Sequence, residues 1–148
     1  MVSIICGGIP LKCAGGILVK GNKILLGKRS GDLQFYPGVW DIIGGHCKNG
    51  ETPEQALKRE FREEIGVIPI SFSRVAVLHD PDPIRAEYEY YVYVVEDWTG
   101  LPKDVGGEHS ELRWVTIDEA VTLDLAHPEY PELFKRIQRE IEKSTKVT

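Results

Sequence analysis

A cluster of glutamates is the feature of this sequence that most clearly indicates chemistry. Glu60, Glu63 and Glu64 lie three and four positions apart, so on a helix their carboxylates would form one patch along one edge. Carboxylate oxygens are hard ligands that suit Mg²⁺ or Mn²⁺, and these ions also take oxygens from substrate phosphates. A solvated acidic face is the alternative interpretation, because neighbouring lysines and arginines could relieve the like-charge repulsion. The patch by itself leaves both interpretations open.

The segment that carries these glutamates has the signals of a helix. Thr52 is placed as the N-cap, Pro53 occupies the first helical position and Gln55 completes a capping box. Gly66 is placed where the helix would end. An apolar residue recurs at every fourth position, which predicts a buried stripe beside an exposed acidic edge. The stripe consists of Leu57, Phe61 and Ile65.

The rest of the chain reads mainly as β-structure with a closing helix. The predicted elements are an extended arm over 1–12, a β-hairpin of 15–20 and 23–29 joined through Gly21 and Asn22, a loop over 30–38, strands over 39–43, 73–79, 87–96 and 112–116, a helical turn over 117–120, and an amphipathic helix over 131–144. One helix set among strands and a second at the end predict an α/β fold, with a mixed β-sheet between helices.

Length and charge exclude several classes of protein. The 148 residues fit a single domain that spans residues 1–148. Acidic residues outnumber basic ones by 23 to 18, so the chain lacks the surplus positive charge that binding to duplex nucleic acid requires. No apolar run reaches the roughly 18 residues of a membrane span. We therefore expect a small partner, and an anionic one would need a bound cation or a local arginine cluster.

The cysteines and the first residues bear on the compartment. Cys6, Cys13 and Cys47 form an odd set without CxxC spacing, which argues against a disulfide framework and against a structural zinc site. The first residues lack the basic start and long apolar run of a signal peptide. A cytoplasmic protein with reduced thiols is expected. The sequence leaves the oligomeric state open, and a homodimer is one of the states that it allows.

The glutamates belong to a longer pattern that begins at a glycine. After Gly45 come five residues, Glu51, seven residues, and then the run Arg59-Glu60-Phe61-Arg62-Glu63-Glu64-Ile65-Gly66-Val67. This stretch resembles the Nudix box, and the chain resembles the Nudix hydrolases, in particular MutT-like members. Phe61 stands where an aliphatic residue is usual, and Ile43 stands where many members have proline. The resemblance implies an α/β/α sandwich with a mixed β-sheet between helices.

The resemblance also implies roles for residues in and beside the box. Glu60 and Glu64 would be ligands of Mg²⁺ or Mn²⁺, with Glu63 nearby. The carbonyl oxygen of Gly44 would add a further ligand. In some relatives the first glutamate of the Arg-Glu pair is instead the general base, so Glu60 has two candidate roles that the sequence does not separate. Arg59 would orient a catalytic carboxylate, and Glu51 is one candidate for that carboxylate.

Two residues ahead of the strand predicted over 112–116 are further candidates. By resemblance, Glu108 lies where relatives often supply another metal ligand or the base, although an ordinary loop acid is nearly as good an interpretation. His109 could contact phosphate, but the sequence favours a solvated loop histidine.

Residues around the loop over 30–38 are candidates for substrate binding. A guanidinium matches phosphate oxygens in pairs, so Arg29 could clamp a phosphate, with an ordinary surface arginine as the alternative. Phe35, Tyr36 and Trp40 could stack on a base. Aromatic residues beside a strand are more often part of the core, and both interpretations stay open.

These inferences favour a divalent-metal-dependent pyrophosphohydrolase. Water would attack the diphosphate linkage of an ordinary or oxidised nucleoside triphosphate, or of another nucleoside-diphosphate derivative. One alternative is a pyrophosphatase acting on ADP-ribose or a sugar nucleotide. The stretch over 35–41 also resembles a segment of isopentenyl-diphosphate isomerases, which makes an isomerase-like enzyme a second alternative. A nucleotide-binding module that keeps the fold without catalysis is the third.

Overall fold

The structure, a computed structural model, describes residues 11–85 and 87–147. Within them the elements are β1 (Lys12–Lys20), β2 (Lys23–Arg29), β3 (Trp40–Asp41), β4 (Ile43–His46), α1 (Pro53–Ile65), β5 (Ile68–His79), a short 3-10 helix (Pro83–Arg85), β6 (Glu89–Thr99), β7 (His109–Thr116), α2 (Ile117–Ala120) and α3 (Tyr130–Val147). Most of the arm expected over 1–12 lies outside the described residues.

The strands form one mixed sheet around β1. Its main path runs β3-β2-β1-β6-β5, with β4 also pairing with β1 and β7 with β2. β1 and β6 are parallel, whereas the other pairs are antiparallel. A central strand bonded to several neighbours fixes the position of β4, which carries the two glycines next to the predicted site.

The sheet separates two apolar clusters, one on each face. Ile24 and Leu26 of β2 join a cluster with α2 and α3, whereas Leu25 between them joins a cluster with α1. Successive side chains of a strand point to opposite faces, so a strand that is apolar throughout serves both layers. The result is an α/β/α sandwich, as the sequence predicts.

Helix α1 lies against β1 and β4 and has the ends that the sequence predicts. The Thr52 hydroxyl accepts from the Gln55 amide at 3.2 Å, and the Gln55 side chain accepts from the Thr52 amide at 2.9 Å. Gly66 ends the helix with a φ of 70°. Gly16 permits close packing, because a Cβ there would lie 2.6 Å from the Phe61 ring. The backbone of β1 therefore holds the box helix at a short distance.

Several strand predictions are wrong in their bounds, and two of the differences concern β4 and β5. The strand expected over 39–43 is split at Ile42 into β3 and β4, and β4 includes Gly44 and Gly45. Pairing with β1 overrides the low strand propensity of glycine. β5 begins at Ile68, five residues before the predicted start. It tolerates Pro69 because it is an edge strand with a register shift at that point.

No helix in the described part of the chain is long and apolar enough to cross a membrane.

Candidate active site

A cavity of about 500 Å³ opens beside the amino-terminal half of β1, β4 and α1. Its wall includes many of the residues predicted for the site. Those on the wall are Arg29, Phe35, Tyr36, Gly44, Arg59, Glu60 and Glu108. The cavity is therefore the place where the box residues meet the loops over 30–38 and 79–88.

Three carboxyl groups come together beside this cavity: those of Glu60 and Glu108, which line its wall, and that of Glu64, which is not on the wall. Glu64 is only 3% exposed, and its Oε2 has no hydrogen-bond partner in the part of the chain that the structure describes. Burial raises the pKa of Glu64 well above its ordinary value, and the neighbouring carboxylates of Glu108 and Glu60 raise it further. A buried carboxylate beside two others is costly unless a cation compensates the charge. The unpartnered oxygen is therefore placed to bind a cation.

The oxygen donors suit Mg²⁺ or Mn²⁺, because these ions do not need a complete shell of protein ligands. In residues 11–85 and 87–147, no group of three His, Cys, Asp or Glu side chains is placed to hold a metal ion by itself. Mg²⁺ commonly keeps several waters and is bound through one or two carboxylates plus substrate phosphates. Glu60, Glu64 and the Gly44 carbonyl would supply a partial shell of that kind.

The predicted patch of three helix glutamates needs correction. Glu64 is buried rather than exposed along a helix edge, whereas the Glu63 side chain is 50% exposed and bonded to Arg59. Neighbouring residues of an α-helix are about 100° apart around its axis, so these two side chains cannot share one direction. The third member of the carboxyl cluster is Glu108, which comes from the loop before β7.

Arg59 forms hydrogen bonds with three carboxylates of the box. Its Nε and Nη2 donate to the two carboxylate oxygens of Glu51 at 2.8 and 2.9 Å. Nη1 donates to Glu60 at 2.7 Å and to Glu63 at 3.1 Å, and Nη2 also donates to the His46 carbonyl. The guanidinium lowers the pKa of Glu51 to about 2. The resemblance implies that Arg59 orients a catalytic carboxylate, and its guanidinium contacts both the candidate Glu51 and Glu60.

Gly45 gives the Glu60 carboxylate its place. A Cβ at Gly45 would lie 2.6 Å from Cδ of Glu60 and 2.7 and 2.8 Å from its two oxygens. Because these contacts are closer than real Cβ atoms make, only glycine leaves the carboxylate where it is. The glycine that begins the box therefore has a steric role in the site.

We expect Gly45→Ala to lower the hydrolysis rate by about a hundredfold, since a displacement of about 1 Å in a catalytic group can have that effect. The protein should remain folded, because the flexible Glu60 side chain can move away. Steady-state kinetics and thermal unfolding measure the two effects. Gly31→Ala is the matched control, since a Cβ there meets nothing within 4 Å. Equal rates for both variants would contradict this role of Gly45.

His109 lies in the site region and is buried, whereas the sequence favoured a solvated loop histidine. It is the first residue of β7 and is buried, with Nε2 3.6 Å from Oε1 of Glu64. Its ring lies over Gly27, where a Cβ would be 2.6 Å away. Burial lowers the pKa of His109, which favours the neutral imidazole. The sequence signal would have been a longer β7, which turns His109 from a loop residue into a strand residue.

The predicted substrate-binding residues lie in different environments. Arg29 lines the cavity, but its Nε and Nη2 donate to the carbonyl oxygens of Phe35 and Tyr36, so it holds the loop over 30–38 in place. Phe35 is 46% exposed and also lines the cavity. Trp40 is only 6% exposed, packs in the core and has Arg113 over its ring. The structure therefore places Trp40 off the cavity wall.

A buried carboxylate outside the box joins two loops at the cavity. Asp80 accepts hydrogen bonds from the hydroxyls of Tyr36 at 3.0 Å and Tyr90 at 2.8 Å. It also accepts from Nε of Arg85 at 3.1 Å. Tyr36, Tyr90 and Arg85 all line the cavity. No motif marks these residues, because the network depends on how the loops over 30–38 and 79–88 meet in space.

Helix α3 also reaches the cavity through its first residue. The Tyr130 hydroxyl donates to Oδ1 of Asp41 at 2.7 Å, and both side chains line the cavity. Burial raises the pKa of Asp41. The carboxyl-terminal helix therefore contributes to the cavity wall as well as to the core.

Comparison with known proteins finds similarity to one family over most of the chain. The sequence model of the NUDIX domain matches residues 11–137. Nucleoside triphosphatase NudI from Enterobacter sp. (strain 638) is 32% identical over 118 residues, which cover 74% of this chain and 84% of that protein. The similarity thus extends far beyond the box.

Solved structures agree with the architecture. The MutT NUDIX hydrolase from Burkholderia pseudomallei superimposes with a TM-score of 0.68 at 28% identity, covering 80% of this chain and 88% of that one. The NUDIX domain of Shewanella oneidensis NrtR, solved with ADP ribose, gives a TM-score of 0.72 at 18% identity, covering 89% and 88%. At that identity the second likeness concerns the fold alone. The predicted α/β class is confirmed.

Proposed function

This chain belongs to the NUDIX family and is a pyrophosphohydrolase, and we propose that it hydrolyses nucleoside triphosphates with a divalent cation held beside Glu60 and Glu64. Mg²⁺ is the proposed cation, and Mn²⁺ is the expected substitute. The observation that carries this proposal is Oε2 of buried Glu64, which has no hydrogen-bond partner among the described residues and lies next to Glu60 and Glu108, two residues of the cavity wall.

The charges of the site explain why a cation is needed. A polyphosphate approaching three clustered carboxyl groups would be repelled. A divalent cation bound there would neutralise phosphate oxygens and lower the pKa of a water molecule. Glu60 and Glu64, with the Gly44 carbonyl, are the proposed ligands. A cation bound by these ligands would therefore lie beside the diphosphate linkage of the substrate.

Two residues are candidates for removing the proton from the attacking water. Glu60 is held by Arg59, so its orientation is fixed, whereas Glu108 lies in the loop before β7 and contacts the same cluster. A general base must come within hydrogen-bond reach of the water that it deprotonates. We propose that Arg59 and Glu51 orient Glu60 and that Glu63 acts as a partner of Arg59 rather than as a ligand.

The proposed substrate class rests on the relatives and on the cavity. The NudI proteins are named nucleoside triphosphatases, and this chain is similar to one of them over most of its length. The cavity volume of about 500 Å³ is in the range of small-molecule sites. Phe35 presents an exposed ring at this cavity, where a base could stack. These features support a nucleotide substrate.

A substrate panel with Mg²⁺ tests the proposal. The panel comprises ordinary and oxidised nucleoside triphosphates, ADP-ribose and an isoprenoid diphosphate, and the products are separated by chromatography. We expect a nucleoside monophosphate and pyrophosphate from at least one triphosphate. Glu64→Gln purified in parallel controls for contaminating phosphatases. Turnover of ADP-ribose alone, or tight binding without turnover, would contradict the proposed substrate class.

A further inference from the structure

Arg85 occupies an unusual position in the cavity wall. It ends the short 3-10 helix between β5 and β6. Its guanidinium lies 4.5 Å from the ring centre of Phe35 and 4.6 Å from that of Tyr88. Aromatic faces attract a guanidinium and restrict its motion. The group is therefore held by two rings, and what remains for a ligand is its edge.

The ion pair with Asp80 orients Arg85 without using all of its donors. Asp80 has a side chain only 1% exposed and pairs with Nε of Arg85 at 3.1 Å. The carboxylate is already bonded to the hydroxyls of Tyr36 and Tyr90 and to the Asp82 amide. It thus has partners of its own, and the pair with Arg85 serves to fix the direction of the guanidinium.

Arg85 differs in this respect from the other two arginines of the cavity wall. Arg59 uses Nε, Nη1 and Nη2 on carboxylates and on the His46 carbonyl. Arg29 uses Nε and Nη2 on loop carbonyls, and its Nη1 lies 3.9 Å from Asp41. Arg85 pairs with Asp80 and also interacts with the Tyr90 hydroxyl, but in the part of the chain that the structure describes no second carboxylate pairs with it.

We propose that Arg85 binds the substrate in this cavity through the two terminal nitrogens of its guanidinium. The chemistry it would recognise is a pair of adjacent hydrogen-bond acceptors, which a phosphate group or the edge of a nucleobase can supply. The inference rests on the proposed function, because it takes the ligand to be a nucleotide. Residues of the Nudix box do not include this arginine, so it would determine binding rather than the chemical step.

Two substitutions at Arg85 test the proposal kinetically. Arg85→Gln removes the charge, and Arg85→Lys keeps the charge but loses the planar pair of donors. We expect Arg85→Gln to raise KM for the best substrate by about ten- to a hundredfold, as charged hydrogen bonds of this strength predict, with a much smaller change in kcat. Arg85→Lys should raise KM by about tenfold, because a lysine cannot reproduce bidentate binding.

Arg74 provides a matched control for these variants. It lies over the Tyr91 ring at 5.7 Å, and neither residue is on the cavity wall. Arg74→Gln removes the same charge from the protein, so it should leave KM unchanged. Thermal unfolding of all variants separates a binding defect from a folding defect. If both Arg85 variants kept KM within twofold of the wild type, the proposal would be overturned.

Direct binding distinguishes the two kinds of acceptor. The probes are α,β-methylene dGTP, α,β-methylene dCTP and inorganic triphosphate, titrated with Mg²⁺ into the wild type and Arg85→Gln by calorimetry. An equal loss of affinity for all three supports contact with phosphate. A loss that differs between the bases and spares triphosphate supports contact with the base edge. Unchanged affinity for all probes overturns the inference, whereas a wild type that neither binds nor hydrolyses any nucleotide overturns the proposed function itself.

Discussion

Replacing Glu64 by glutamine is expected to lower the rate of nucleotide hydrolysis by at least about a hundredfold without destabilising the protein. The amide has nearly the shape of the carboxyl group but is a poor ligand for Mg²⁺. Ionised Glu64 is disfavoured by burial and by the nearby carboxylates of Glu60 and Glu108. The raised pKa means that Glu64 must take up a proton when the metal-free protein folds at neutral pH, which costs stability. Neutral glutamine does not have this cost, so the metal-free variant should unfold at the same temperature as the wild type or at a higher one.

Two measurements check this expectation side by side. Steady-state kinetics with Mg²⁺ give the loss of activity, and thermal unfolding in the presence of a chelator gives the stability. Glu142→Gln is the matched control, because Glu142 is exposed on α3 and distant in sequence from the box. A variant that kept its activity would remove Glu64 from the site. A large loss of stability would show that Glu64 is a structural residue instead.

Removing divalent cations should abolish hydrolysis altogether. Without a cation, the carboxyl cluster repels the polyphosphate and nothing activates water at neutral pH. We expect a chelator followed by dialysis to bring the rate to the uncatalysed level, and Mg²⁺ or Mn²⁺ to restore it. The assay is the release of pyrophosphate before and after the cation is added back.

Cation binding should also increase the free energy of unfolding. A ligand present at a hundred times its Kd stabilises the folded state by about 2.7 kcal/mol. Saturating Mg²⁺ should therefore raise the unfolding temperature of the wild type, and the rise should be smaller in Glu64→Gln. Full activity in the dialysed, chelated protein would contradict the metal-dependent mechanism.

Local sequence signals were sufficient for the helix that carries the site. The capping box of Thr52 and Gln55, the terminating Gly66 and the apolar stripe all depend on residues within a few positions of one another. Such patterns can be read from a single chain because the interactions are formed inside the helix. The apolar runs on either side of Gly21 and Asn22 likewise predicted the hairpin of β1 and β2.

The burial of Glu64 could not be predicted in the same way. The loop over 100–108 returns to the end of α1, where the amides of Val105 and Gly106 donate to the Glu64 carbonyl. This return brings Glu108 to the cluster and covers Glu64. Helix periodicity says which side of α1 a residue faces, but it does not say which distant loop covers that side. The same reason explains why His109 was expected to be solvated, although it is buried.

The substrate end of the cavity depends even more on long-range contacts. For Arg29 a phosphate clamp and an ordinary surface arginine were both open, yet its guanidinium holds the loop over 30–38, whereas Arg85 pairs with Asp80 through Nε. For Trp40 stacking on a base and packing in the core were both open, and its position beside β2 buries it in the core. Residue type alone cannot decide between such roles, because each depends on the partners that the fold supplies.

The most direct test of the proposed metal site is a titration with Mn²⁺ in which the free ion is measured by its electron paramagnetic resonance signal. The wild type and Glu64→Gln are compared under identical conditions, without nucleotide. The carboxyl cluster of Glu60, Glu64 and Glu108 predicts that the wild type binds Mn²⁺ and that the substitution weakens this binding by about tenfold or more. Equal binding by the two proteins, or no binding by the wild type, would contradict a cation site at Glu64.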